Sequence, residues 1–177
     1  MARIILYDQP FFTGSSHIFT DDIPDLATYS FTKKTRSMKV ERKPWVAFLD
    51  IDYTGGFKIY DVGDYTNLGE FDQKIQSLME IRVPLENPEI VLYQDVDYQG
   101  KKVSISQPTQ DITATSLSGK VSSYQVKSGA WSLYKGRNFQ GESCFTVEDQ
   151  PDLRKKSWND QLLSLQPVPD IHNQKAK

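Results

Sequence analysis

The sequence predicts an all-β protein of two sandwich domains, from an internal fourfold repeat, its duplication at a fixed offset, and strand signals that far outnumber helix signals. In the repeat, an aromatic residue is followed five positions later by a second aromatic and two positions after that by glycine. The copies are Tyr7–Phe12–Gly14, Phe48–Tyr53–Gly55, Tyr93–Tyr98–Gly100 and Tyr134–Phe139–Gly141. A serine then follows each glycine by 22 or 23 residues, at Ser37, Ser77, Ser123 and Ser164. The glycines lie 41, 45 and 41 residues apart, so the second pair repeats the first at an offset of 86. Repetition at this period describes the whole scaffold. In 177 residues it favours two domains, each large enough for a modest core.

Few windows place apolar residues at the three- and four-residue spacing of a helix, and Gly, Pro, Asn and Asp recur throughout. Strands are predicted at Ile4–Tyr7, Val46–Leu49, Ile90–Tyr93, Lys101–Ser106, Ser122–Lys127 and Trp131–Tyr134. Lys102-Val103-Ser104-Ile105-Ser106 alternates polar with apolar residues, as a half-buried strand requires. Many short strands between turn residues read as a sandwich.

Within each repeat the first aromatic ends a strand, and the next four residues carry the chain round a hairpin. In the third copy these are Gln94-Asp95-Val96-Asp97, a set suited to a turn. The second aromatic sits at the tip, where it folds back over the sheet. The glycine supplies the positive φ that this fold-over needs. The distant serine is placed to hydrogen-bond the hairpin backbone. Each repeat is thus a four-stranded unit with its own latch.

Six residues before each serine stands a large apolar residue, Phe31, Phe71, Leu117 or Trp158, and this regular placement marks core. Trp45 and Trp131 precede the first aromatic of the second and fourth copies by three residues. The prolines of Val83-Pro84-Leu85-Glu86-Asn87-Pro88 favour an extended connection. The expected division is therefore a domain over 1–83, a linker over 84–88, a domain over 89–169 and a polar tail over 170–177.

The strings Tyr93-Gln94-Asp95-Val96-Asp97-Tyr98-Gln99-Gly100 and Tyr134-Lys135-Gly136-Arg137-Asn138-Phe139-Gln140-Gly141 resemble the Greek-key signature of the βγ-crystallins. Four copies in two registered pairs, each with its serine, extend the resemblance to about Val168. It implies two β-sandwich domains, each of two intercalated Greek keys about a pseudo-twofold axis. Lens γ-crystallins are typically rich in arginine and cysteine, whereas this chain has 15 lysines, 6 arginines and one cysteine. Its texture is similar to non-lens members, the amphibian epidermis-differentiation-specific proteins, in which such a domain pair precedes an aerolysin-like pore-forming module. No such module is present in these 177 residues.

Many non-lens relatives bind Ca²⁺ through two Asn/Asp residues, two variable residues and then Ser/Thr-Ser, which supply hard oxygen donors. Aligned on the four serines, Thr32-Lys33-Lys34-Thr35-Arg36-Ser37 carries Lys33 in an acidic position and Arg36 in the hydroxyl position. Asp72-Gln73-Lys74-Ile75-Gln76-Ser77 keeps one acid. Ser118-Gly119-Lys120-Val121-Ser122-Ser123 keeps hydroxyls and no carboxylate, and Asn159-Asp160-Gln161-Leu162-Leu163-Ser164 has Leu163 where a hydroxyl belongs. No copy is complete, so no cofactor is expected. Ser122 and Asp160 are the vestigial calcium candidates.

A net charge of −2 argues against electrostatic nucleic-acid binding, and no run of about 18 apolar residues exists to span a membrane. The first ten residues hold only the short apolar run Ile4–Leu6, too short for the core of a signal peptide, and Cys144 has no second cysteine to pair with. A cytoplasmic protein is expected. His17 and His172 lie far apart, Cys144 reads as a small buried hydrophobe, and no phosphate loop, zinc spacing or nicotinamide fingerprint occurs. The pairs Asp21-Asp22 and Glu148-Asp149 read as solvated turns. The expectation is a non-enzymatic structural protein, monomeric or a homodimer with domains paired across chains. The alternative is a recognition module for a glycan, lipid or protein partner within a larger, pore-forming assembly. Clustering of Phe11, Tyr29 and Tyr65 on one exposed face would favour that alternative.

Overall fold

The structure, a computed structural model, describes residues 2–168. The predicted tail over 170–177, with His172, lies outside them. Thirteen strands make up the described chain: β1 Arg3–Gln9, β2 Thr13–Phe19, β3 Ser37–Glu41, β4 Trp45–Phe48, β5 Phe57–Tyr60, β6 Gly63–Tyr65, β7 Ser77–Glu80, β8 Glu89–Asp95, β9 Gln99–Ile105, β10 Ser123–Ser128, β11 Trp131–Tyr134, β12 Ser143–Thr146 and β13 Ser164–Pro167. The helical pieces among the described residues are short 3-10 turns. All six sequence-predicted strands are present, with ends shifted by a few residues.

The contacts divide the chain into two units between Ile81 and Arg82. In the first, one sheet runs β2-β1-β3-β6 and the other β5-β4-β7; in the second the sheets run β10-β8-β9 and β12-β11-β13. Every strand pair is antiparallel. The two Greek keys of a unit intercalate, each lending a segment to the other's sheet. From the second repeat this segment is a full strand, β6, paired with β3 from Met38↔Tyr65 to Val40↔Gly63. From the other three repeats it is a single bridge: Ile23↔Leu78, Thr109↔Leu165 and Tyr124↔Gln150.

A short aspartate cap accompanies this difference. Asp25, Asp111 and Asp152 each stand twelve residues before a latch serine and accept a backbone N–H two residues on, from Ala27, Thr113 and Arg154. Each cap turns the chain into a 3-10 turn soon after the bridge. The second repeat has Tyr65 at this position, and its segment stays extended over three residues.

Alternation places Ile4 and Leu6 of β1, Met38 and Val40 of β3, Trp45 and Ala47 of β4 and Leu78 of β7 in one core. Ile90 and Leu92, Val126, Trp131 and Leu133, and Leu165 occupy the equivalent places in the other. Of the residues expected from spacing, Phe31, Leu117, Trp158, Trp45 and Trp131 are buried, and Phe71 packs partly buried against the first core. Val83, expected at the end of the first domain, packs on the core of the second unit, and within residues 84–88 Pro84 O accepts the Gly129 N–H at 2.6 Å and Asn87 O accepts from Ser128 Oγ at 2.6 Å.

The position two residues before each latch serine is apolar in all repeats but the first. Three repeats carry Ile75, Val121 and Leu162 there, all fully buried, and the first carries Thr35. Its Oγ1 is buried without a hydrogen-bond partner, a burden of about 1–3 kcal/mol. Thr35→Val keeps the shape and removes the orphan hydroxyl, so it is expected to stabilise the first unit by about 1 kcal/mol. The check is a higher urea midpoint at unchanged slope.

Candidate functional site

The fourfold repeat builds four equivalent corners. Each latch serine opens its strand and lies directly opposite the first aromatic: Tyr7↔Ser37, Phe48↔Ser77, Tyr93↔Ser123 and Tyr134↔Ser164. All four serines are fully buried. Ser37 Oγ donates to Gln9 O at 2.6 Å and accepts the Phe12 N–H at 3.0 Å. Ser77 donates to Asp50 O and accepts from Tyr53 N; Ser123 donates to Asp95 O and accepts from Tyr98 N; Ser164 donates to Gly136 O and accepts from Phe139 N. One hydroxyl therefore satisfies both a backbone donor and a backbone acceptor of the hairpin.

The backbone at the tip is more unusual than glycine alone would make it. The second aromatics Phe12, Tyr53, Tyr98 and Phe139 have φ of 60, 60, 61 and 62°, and the residues before them, Phe11, Asp52, Asp97 and Asn138, have φ of 55 to 58°. Two left-handed L-residues in succession cost about 2–4 kcal/mol per corner. The two aromatic rings of each corner meet edge to face at 5.7 to 5.9 Å. Such a pair contributes about 1 kcal/mol beyond its burial. The two serine hydrogen bonds add about 1 kcal/mol each, so each corner is near balance before burial is counted.

The loops that precede the latch serines meet across repeats. Lys33 N donates to Ile75 O and Gln73 N to Thr35 O, both at 3.0 Å, as the intercalated twofold arrangement requires. In the second unit Asp160 N donates to Val121 O at 3.0 Å. The acidic position of one repeat therefore faces the hydroxyl position of the other, and the donor sets are crossed ones. Asp72 meets Arg36, whose Nε lies 3.2 Å from Oδ1, and this ion pair fills the crossed set. Lys33 stands in the acidic position opposite Gln76, whose Nε2 donates to Leu49 O. Gly119 opposite Leu163 supplies no side-chain oxygen. Three sets thus do not fit a calcium ion.

The fourth places Asp160 beside Val121-Ser122, so the two vestigial candidates belong to one set. The neighbouring Asn159 Oδ1 is a buried acceptor without a hydrogen-bond partner. Reading the copies one at a time could not reveal this pairing. The set has one carboxylate, and no cluster of three or more His, Cys, Asp or Glu able to hold a metal exists among the described residues.

Asp22 Oδ1 accepts the Glu80 N–H and Asp149 Oδ1 the Val126 N–H, so half of each acidic pair caps backbone of the neighbouring repeat instead of facing water alone. His17 stacks on Phe19 at 4.8 Å. Cys144 is partly buried, and burial pushes its thiol up to about 11, which keeps it protonated and poorly nucleophilic at neutral pH. Phe11 and Tyr29 are 69% and 43% exposed. Tyr65 instead packs on the core, with its hydroxyl donating to Asp61 O. No helix among the described residues is long and apolar enough to cross a membrane.

The family model described as Beta/Gamma crystallin matches residues 3–82 and 89–168. The epidermal differentiation-specific protein of Cynops pyrrhogaster is 32% identical over 133 residues, which cover 75% of this chain and 39% of that protein. Human beta-crystallin B2 is 28% identical over 145 residues, covering 78% of this chain and 70% of that one. Among solved structures, a beta gamma crystallin from Ciona intestinalis is 26% identical, with a TM-score of 0.43 over 44% of this chain and 98% of its own. With both matched spans closing on the duplicated, serine-latched Greek keys, the chain belongs to the beta/gamma crystallin family.

Proposed function

We propose that this protein is a non-enzymatic structural βγ-crystallin whose calcium-binding motifs have degenerated. The observation that carries this reading is the Arg36–Asp72 ion pair, in which a guanidinium stands where the crossed donor set would hold a cation. Neutralised in this way, the first unit needs no metal to balance its loops. In the second unit the Asp160 and Ser122 set offers a single carboxylate. Charge count sets affinity in calcium loops, so such a set belongs with sites of about 10⁻³ M or weaker. Isothermal titration with CaCl₂ is expected to show no binding heat below about 0.1 mM. Any heat at millimolar calcium is expected to vanish in Asp160→Asn and to persist in Asp72→Asn. Saturable binding at micromolar calcium would overturn the reading.

One observation favours a second reading, the recognition module. Among the described residues, the large apolar ones that stand most exposed, Phe11, Ile18, Tyr29, Ile51 and Val62, all belong to the first unit. Phe11 occupies a left-handed tip position that is Asp52, Asp97 or Asn138 in the other repeats. The chain spans 39% of the amphibian relative, so a role inside a longer assembly would rest on residues outside this sequence.

A further inference from the structure

We infer that the free edge of β2 is a self-association surface and that the partner it takes is β2 of a second copy. Among the described residues five strands end their sheets with no strand or bridge on the outer side, β2, β5, β6, β9 and β12, and β6 has only three residues. Exposed edges template further pairing, and proteins guard them with charge, brevity or twist. Strand β9, the counterpart of β2 in the second unit, carries Lys101 and Lys102, and β5 carries Lys58. Strand β12 has four residues. Strand β2 has seven, Thr13-Gly14-Ser15-Ser16-His17-Ile18-Phe19, with no Lys, Arg, Asp or Glu among them. Among the described residues its outer side is bonded by no other strand or bridge.

The side chains beside this edge suit a strand laid against it. Ile18 is 55% exposed on one face of the sheet. On the other face Tyr29, also exposed, packs edge-on to His17 and Phe19 at 5.6 and 5.1 Å. The occupant is decided by charge and symmetry. Two lysine-bearing edges repel their own copies, whereas an uncharged edge pairs with itself without penalty. A twofold axis then repeats every contact.

Antiparallel pairing holds opposite residues on one face, so the twofold can centre on Ile18 or on His17. Centred on Ile18, the pairing sets Ile18 against Ile18 and His17 against Phe19 of the second copy. Centred on His17, it sets the two imidazoles together and leaves Ile18 against Ser16. The first register buries more apolar surface and is the one assigned. One strand pair is smaller than the roughly 800 Å² per partner of a standard interface, so the association is weak and concentration-dependent.

Sedimentation equilibrium of the 177-residue chain tests the inference. The mass is expected to rise toward twice the monomer value with concentration. Ile18→Lys and, separately, Ser16→Lys, which give β2 the guard that β9 has, are expected to stay monomeric with unchanged melting temperature. In a Cys144→Ser background, Ile18→Cys is expected to oxidise to a covalent dimer, as the Ile18-centred register requires. A wild-type chain monomeric throughout, or a dimer indifferent to both lysines as domain exchange would give, overturns it. So does binding of an extended uncharged peptide at this edge by a chain that does not self-associate.

Discussion

Ser37→Ala is expected to destabilise the first unit by about 2–4 kcal/mol, far beyond the loss of one small polar group. The substitution removes no appreciable volume. It leaves the Phe12 N–H and the Gln9 carbonyl, which Ser37 Oγ joins at 3.0 and 2.6 Å, without their partner. Each buried group stranded in this way costs about 1–3 kcal/mol, and the corner is only partly buried, so the lower half of the summed range applies. The alternatives at this position are poor. Threonine keeps the hydroxyl but adds a methyl at a fully buried site, at about 1–3 kcal/mol. Urea unfolding followed through Trp45 measures the loss, and amide exchange localises it: Phe12 N–H should exchange about tenfold faster per 1.4 kcal/mol. The exposed Ser16→Ala serves as control, expected to change stability by less than about 0.5 kcal/mol. A Ser37→Ala loss no larger than that control would mean that water replaces the hydroxyl and the latch contributes nothing.

The latch was legible from spacing because a hydroxyl that bonds a hairpin must sit at a fixed place on a neighbouring strand. Ser37, Ser77, Ser123 and Ser164 hold that place opposite the first aromatic of each repeat. The left-handed backbone of Phe12, Tyr53, Tyr98 and Phe139 was not legible. Propensity assigns positive φ to Gly, Asn and Asp, and here packing of the ring and the serine bond override it. The caps of Asp25, Asp111 and Asp152 did leave a signal, an aspartate twelve residues before three of the four serines. The pairing of Asp160 with the Ser122 loop left none, since twofold intercalation joins positions that an alignment of copies keeps apart. The ion pair of Arg36 with Asp72 was hidden for the same reason, although Arg36 alone stood out of pattern in a hydroxyl position.

Replacing the four tip glycines by alanine should separate them into two classes, although the sequence signal is the same for all. Their φ values lie between 79 and 81°, so each alanine takes the left-handed penalty of about 1–2 kcal/mol. Space then divides them. A Cβ on Gly14 would run into Asp8 Oδ1 and lie 2.7 Å from Gln9 Cγ. That carboxylate is fixed by the Ser15 N–H at 2.8 Å, so it cannot swing away without losing the bond. On Gly55 and Gly100 the Cβ would meet Asp50 and Asp95 in the same manner. The fourth repeat has Gly136 where the second and third have those aspartates, and a Cβ on Gly141 would approach nothing closer than Gly136 N at 3.4 Å.

Gly141→Ala is therefore expected to cost the φ penalty alone, about 1–2 kcal/mol, and Gly14→Ala about 2–4 kcal/mol. Asp8→Ala in the Gly14→Ala background should recover part of the excess, whereas Asp8→Ala alone should destabilise through the unpaired Ser15 amide. Equal losses at Gly14 and Gly141, measured against wild type by thermal unfolding, would show that φ alone explains the glycines. A larger loss at Gly14, partly restored by removing the carboxylate, would show that the hairpin is tightened by a carboxylate, where the fourth repeat has only Lys135 and Gly136.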